Sequence, residues 1–195
     1  MTTWPGAGTD NDAVFGGTAG TVTLTGGVTA NDLTFNSNGY TIQGNTLTLN
    51  GGAVPSITVA AGLGATLGPV ITGNAGLTKT GAGSLTLTGA APRTPTPGSA
   101  TVNQGVLYLN KTAGLAATSG AILMTGGNQP EIVTLAANQF APGTTIDTTG
   151  ATNWERFSLM GNAQTVSAIT DPAGRFVLGA DRVQAAFPPR RGTRS

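Results

Sequence analysis

Apolar and polar residues alternate with a period of two along most of the chain between Gly20 and Leu109. The pattern is clearest in TVTLT (Thr21 to Thr25), NDLTF (Asn31 to Phe35), NTLTLN (Asn45 to Asn50), SITVA (Ser56 to Ala60), SLTLT (Ser84 to Thr88) and GVLYLN (Gly105 to Asn110). Each run is bounded by Gly or Asn and rich in Thr, Val and Leu, which predicts a short β-strand. Neighbouring strand residues point to opposite faces, so Leu47 and Leu49 go to one side and Thr46 and Thr48 to the other. Val22 with Leu24, Ile57 with Val59, and Leu85 with Leu87 make the same choice, and each strand therefore buries one side. Strand starts about ten residues apart suit a sandwich, a barrel or a solenoid. Leu47, Leu67, Leu87 and Leu107 add a fixed translation of 20 residues, enough for a coil of three short strands. The expectation is a parallel solenoid of about eight coils, each about 20 residues long, with these four leucines in one vertical stack inside it.

The second half is less regular. LAATSGAILMTGG, EIVTLAANQFAPG, TTIDTTG, RFSLMGN, QTVSAITDPAG and RFVLGAD read as further short strands separated by Gly or Asp-Pro turns. EIVTLAANQFA has a composition that also suits a helical turn, but Val133, Thr134 and Asn138 weaken a helix and favour a strand. The proline-rich APRTPTPGS (Ala91 to Ser99) is expected to be an exposed loop, because proline cannot serve a central strand. The predicted organisation is a Gly/Asp-rich lead-in or cap over residues 1–19, a repeat domain over 20–180 with its loop at 91–99, and a disordered basic tail over 181–195.

Composition narrows the chemistry. The 195 residues carry 31 Gly, 9 basic and 8 acidic side chains, a net charge of +1, and neither His nor Cys. Zinc sites, disulfides and the common catalytic triads lack their residues. No basic stripe is present for nucleic acid, since Arg182, Arg190, Arg191 and Arg194 cluster in the tail. The uncharged stretch from Ala53 to Gly73 is long enough to span a bilayer, but Pro55, Pro69 and its alternation exclude a membrane helix. The start, MTTWPGAGTDND, has neither a cationic region nor an apolar core of a signal peptide. The chain is accordingly either cytosolic or begins downstream of its export signal.

Gly76 to Leu109, GLTKTGAGSLTLTGAAPRTPTPGSATVNQGVLYL, resembles the autotransporter-associated β-strand repeat, or passenger-associated transport repeat, of bacterial surface proteins. The matching positions are Gly76, Leu77, Lys79, Gly81, Gly83, Leu85, Leu87 and Gly89, then Thr101, Val102, Asn103, Gly105, Leu107 and Leu109. Flanking segments extend the likeness over about Pro5 to Leu178. The resemblance implies a right-handed parallel β-helix (β-solenoid), a non-enzymatic display segment of a longer passenger, and a place at or beyond the outer membrane. APRTPTPGS departs from the family's Asn-Thr-Tyr-x-Gly-Gly turn. Nothing after Leu178 supplies the ~10-residue membrane strands of a translocator barrel, so the expectation is a fragment, a shortened paralogue or an excised reading frame.

Candidate sites are few. Outward Thr21, Thr23, Thr25, Thr46, Thr48, Thr86 and Thr88 form a candidate hydroxyl ladder, able to match a glycan or ice, although threonine is also simply a good strand former. Asp10 and Asp12 lie in a Gly-rich turn like a single calcium nonapeptide, for which an Asx turn is the simpler account. A β-helix carbohydrate-active enzyme would need paired carboxylates from Asp32, Glu131, Asp147, Glu155, Asp171 and Asp181, which show no stacking interval and read as solvated surface charge. Trp4, Tyr40, Tyr108 and Trp154 stand too far apart in sequence to nominate a sugar platform. No catalytic residue, metal or cofactor is expected, and the expected partners are surface glycans or a second copy joined end to end.

Overall fold

The computed structural model describes residues 11–50, 54–73, 76–90, 99–118, 120–174 and 176–179. Within them the chain winds as a parallel β-solenoid without helix. The first coil contributes β1 (Ala13–Phe15), β2 (Thr21–Leu24) and β3 (Val28–Ala30), one to each of three faces. The second coil places β4 (Leu33–Phe35), β5 (Tyr40–Gly44) and β6 (Leu47–Leu49) beneath them. The third adds β7 (Ser56–Val59), β8 (Gly64–Leu67) and β9 (Ile71–Thr72). Next come β10 (Leu77–Thr80) and β11 (Ser84–Gly89). Two long strands then turn a corner and serve both long faces: β12 (Ala100–Lys111) and β13 (Ile122–Thr134). The last coils supply β14 (Thr145–Asp147), β15 (Glu155–Ser158), β16 (Ala168–Thr170) and β17 (Phe176–Leu178). Each long face is thus eight strands deep, enclosing about seven turns.

Two expectations are corrected here. Ala13–Phe15 already pairs with β4, so the solenoid includes part of the segment read as a lead-in; three residues are too short to announce themselves by alternation. Leu67 does stack on Leu87, but the next member of that column is Leu109, whereas Leu107 lies under Leu85. Leu47 belongs to the third face, between Val28 and Ile71. The cause is uneven corners. Following one outward column from Thr21 through Thr41, Thr66, Thr86, Tyr108 and Val133 to Ser158, the coils advance by 20, 25, 20, 22, 25 and 25 residues. Strands keep their alternation while the loops between them absorb the difference, so a constant interval cannot track the stack. The loop at 91–98 and the tail at 180–195 lie outside the described residues. EIVTLAANQFA is strand only as far as Thr134.

Aliphatic columns fill the interior. One runs Val22, Ile42, Leu67, Leu87 and Leu109. A second runs Ala65, Leu85, Leu107, Ile132 and Phe157. At the first coils Phe15 stacks on Phe35 with ring centroids 4.6 Å apart, and Tyr40 packs against both while its hydroxyl donates to Gly16 O at 2.7 Å. Below β9 the third face is reduced, among the described residues, to the bridge between Thr118 and Phe140. Side-chain amides take over the ladder nearby. Gln139 Oε1 accepts from Lys111 N at 2.8 Å and its Nε2 donates to Lys111 O at 3.2 Å, while Gln164 Oε1 accepts from Gln139 N at 2.7 Å. Buried backbone groups are satisfied in this way where no strand is available.

Candidate binding surface

The outer side of the long face built by β2, β5, β8, β11, β12, β13, β15 and β17 changes character along the rod. Its central column begins as hydroxyls, with Thr21, Thr41, Thr66 and Thr86 in register on successive strands, and continues as Tyr108, Val133 and Ser158. The seven threonines nominated from sequence do not form one ladder. Thr21 and Thr86 belong to this column, separated by Thr41 and Thr66, which are not among the seven. Thr48 lies on the third face, where its hydroxyl bonds Thr72 at 2.9 Å, and Thr46 immediately precedes that strand. Beside the central column, Thr23 is followed by Gln43, whose Nε2 donates to the Thr23 hydroxyl at 3.2 Å. Gly68 then stands between Gln43 and Thr88, and Thr25 lies just past the end of β2. Hydroxyls therefore repeat along the axis but not across it.

From Tyr108 onward the same surface is recessed and chemically mixed. A depression of about 390 Å³ is lined by Tyr108, Glu131 and Arg156, with Val133, Ser158 and Gly179 as its small floor and Leu135 and Met160 on one flank. A second, of about 270 Å³, is lined by Gln129, Trp154, Val177 and Glu155 together with the same Glu131 and Arg156. Register places Glu131 directly over Arg156, and their side chains pair at 3.6 Å. Ser158 Oγ donates to Glu131 Oε1 at 2.8 Å. Arg156 remains 61% exposed and Glu131 20%, so the pair is open to solvent and weak by itself. Trp154 is 57% exposed.

The aromatic residues set aside in the sequence analysis thus include two on one surface. Tyr108 and Trp154 lie two coils apart, but Trp154 falls four residues short of Ser158, the register partner of Tyr108 through Val133, so no fixed interval in the sequence brings them together. Tyr40 instead packs in the N-terminal aromatic cluster, and Trp4 lies outside the described residues. Of the acidic residues, Glu131 and Glu155 line the second depression together, and the others disperse. Asp12 Oδ1 accepts from Asn31 Nδ2 at 3.0 Å and from Asp32 N at 3.2 Å, and Asp32 Oδ1 accepts from Ser56 N at 2.7 Å. These carboxylates tie one coil to the next. Thr149, through its hydroxyl and then its N–H, holds the Asp147 carboxyl below its ordinary value. Asp171 Oδ1 accepts from Thr148, and its Oδ2 accepts from Phe176 N at 3.0 Å. Glu155, read as solvated, is instead buried at 1% exposure, because it shares the inward parity of Phe157 and Leu159. Asp10 and Asp181 lie outside the described residues, among which no group of three metal-ligating side chains occurs.

Two lysines are internal among the described residues, Lys79 and Lys111, the latter donating from Nζ to Pro69 O at 3.3 Å. Lys79 occupies the inward column between Ile57 and Val102 and is 0% exposed. Its Nζ donates to Thr80 O at 2.8 Å, Gly81 O at 2.7 Å and Gln104 O at 3.1 Å, bridging the corners of two successive coils. Burial lowers its pKa to about 8.

A curated relative, the Adhesin BmaC autotransporter of Brucella suis biovar 1 (strain 1330), is 44% identical over 124 residues. The match covers 64% of this chain and 4% of that protein, so the chain spans a small part of the relative's length. No family model matches the chain, and no solved structure matches it.

Proposed function

We propose that the chain is a passenger-like, non-enzymatic display segment of a bacterial surface adhesin, carried at or beyond the outer membrane. The observation that carries this proposal is the unbroken parallel stack: about seven turns in one chain give a rod whose length grows by about 4.8 Å per coil. The adhesin relative supports it from an independent direction. So does the block from Gly76 to Leu109, whose repeat-like positions have distinct physical tasks. Leu77, Leu85, Leu87, Val102, Leu107 and Leu109 point inward, and Gly81, Gly83 and Gly105 allow the corners to approach. Lys79 closes the corner between them. Assignment to the passenger-associated repeat rests on these residues.

The test is display. Fused between an export signal and an outer-membrane translocator barrel, the chain is expected to appear on intact cells as a protease-resistant product. A chain retained in the periplasm or degraded during export would overturn the proposal. Hydrolysis or eliminative cleavage of a polysaccharide by the purified chain, lost in Glu131→Gln, would replace the non-enzymatic role with a catalytic one.

A further inference from the structure

We infer that the recessed surface of the C-terminal coils binds an uncharged saccharide chain. The ligand class follows from what the surface offers. Tyr108 and Trp154 present aromatic groups to the two adjoining depressions, and the C–H face of a pyranose ring packs against such a surface. Between them stand a carboxylate and a guanidinium, which supply acceptors and a planar fork of donors suited to neighbouring sugar hydroxyls. Among the described residues Arg156 makes a single ion-pair contact, at 3.6 Å, and its side chain is largely open to solvent. Glu131 is already oriented by the Ser158 hydroxyl at 2.8 Å. The Glu131 and Arg156 charges cancel, the second depression adds the buried Glu155 carboxyl, and among the described residues no further cation lines either depression, which favours a neutral ligand over a polyanion. The backbone N–H and C=O groups of this face are spent in the coil-to-coil ladders, so an added peptide strand has no edge to pair with here.

The geometry also gives direction. Tyr108 lies two coils from Trp154 and stands two strand positions beyond the Glu131–Arg156 pair, in the column of Val133 and Ser158, while Trp154 lies two positions before that pair, so a ligand touching both crosses the face obliquely. The depressions meet at the Glu131–Arg156 pair, which places that pair at the middle of a bound chain and an aromatic group toward each end. The threonine surface of the earlier coils takes no part. This inference is independent of the display role, because binding is a property of the purified chain.

An array of neutral and acidic glycans probed with the full-length chain, followed by titration of the best neutral glycan, tests it. Binding to neutral glycans is expected, weakened at least tenfold in each of Trp154→Ala and Arg156→Gln and less than twofold in Thr66→Ala, with all three variants melting with the parent. Trp154 is exposed enough to be removed without disturbing the core. Four results would overturn the inference: no neutral glycan bound, binding confined to sulfated or carboxylated glycans, loss in Thr66→Ala equal to that in Trp154→Ala, or binding only to a protein that persists after enzymatic deglycosylation.

Discussion

Lys79→Met is expected to destabilise the chain by about 2–4 kcal/mol, read as a lower urea midpoint with an unchanged slope. Methionine is one atom shorter but keeps most of the volume, so little cavity is created. What it removes is the donor shared by Thr80 O, Gly81 O and Gln104 O. Part of that loss is returned, because the variant no longer desolvates an ammonium. The same desolvation gives a pH signature. Lys79 releases its proton at about 8 in the folded chain, whereas a lysine in the unfolded chain holds it to about 10.4. Between those values the unfolded state carries more protons, so the stability contributed by this group rises with pH across that window and is level below it. Lys79→Met should lack the rise. Superimposable pH profiles for parent and variant would show that Lys79 is not buried as an ammonium.

Gly105→Ala is expected to be worse, costing about 3–5 kcal/mol from two sources that act together. Gly105 has φ of 67°, a left-handed conformation that an alanine adopts only with strain. Its added methyl would also run into Gly83 O and lie 2.8 Å from Gly81 O, both backbone atoms of the coil above. Gly83 O is held by Val106 N at 3.3 Å, so it cannot retreat without loosening the ladder. Gly62→Ala separates the two causes. Gly62 has φ of 73° with open space around it, and its cost should stop at about 1–2 kcal/mol of backbone strain. Equal losses at the two sites would refute the packing argument.

These positions also show how far the fold could be read in advance. Alternation identified the strands because one side of each is buried, and Leu85 and Leu87 take the orientation that their spacing requires. Register was not legible. It is decided by corners of unequal length, which is why Leu47 and Leu107 left the column assigned to them. Glu155 was misplaced for a different reason: reading it as solvated surface charge left out its parity with Phe157, which points inward. The recessed surface was hidden by distance. Glu131 and Arg156 are 25 residues apart, and only the coil length of that region makes them neighbours.

The most direct test uses the column from Thr21 to Ser158 as a ruler. The chain has no native cysteine, so spin labels can be placed in pairs at Thr21 and Tyr108, Thr41 and Ser158, or Thr21 and Ser158. These pairs are four, five and six coils apart in register. Pulsed dipolar measurements should give backbone separations of about 19, 24 and 29 Å, in narrow distributions, because each coil adds about 4.8 Å. Distances that fail to increase with coil number, or broad distributions at all three pairs, would contradict the rigid parallel stack on which the display role depends.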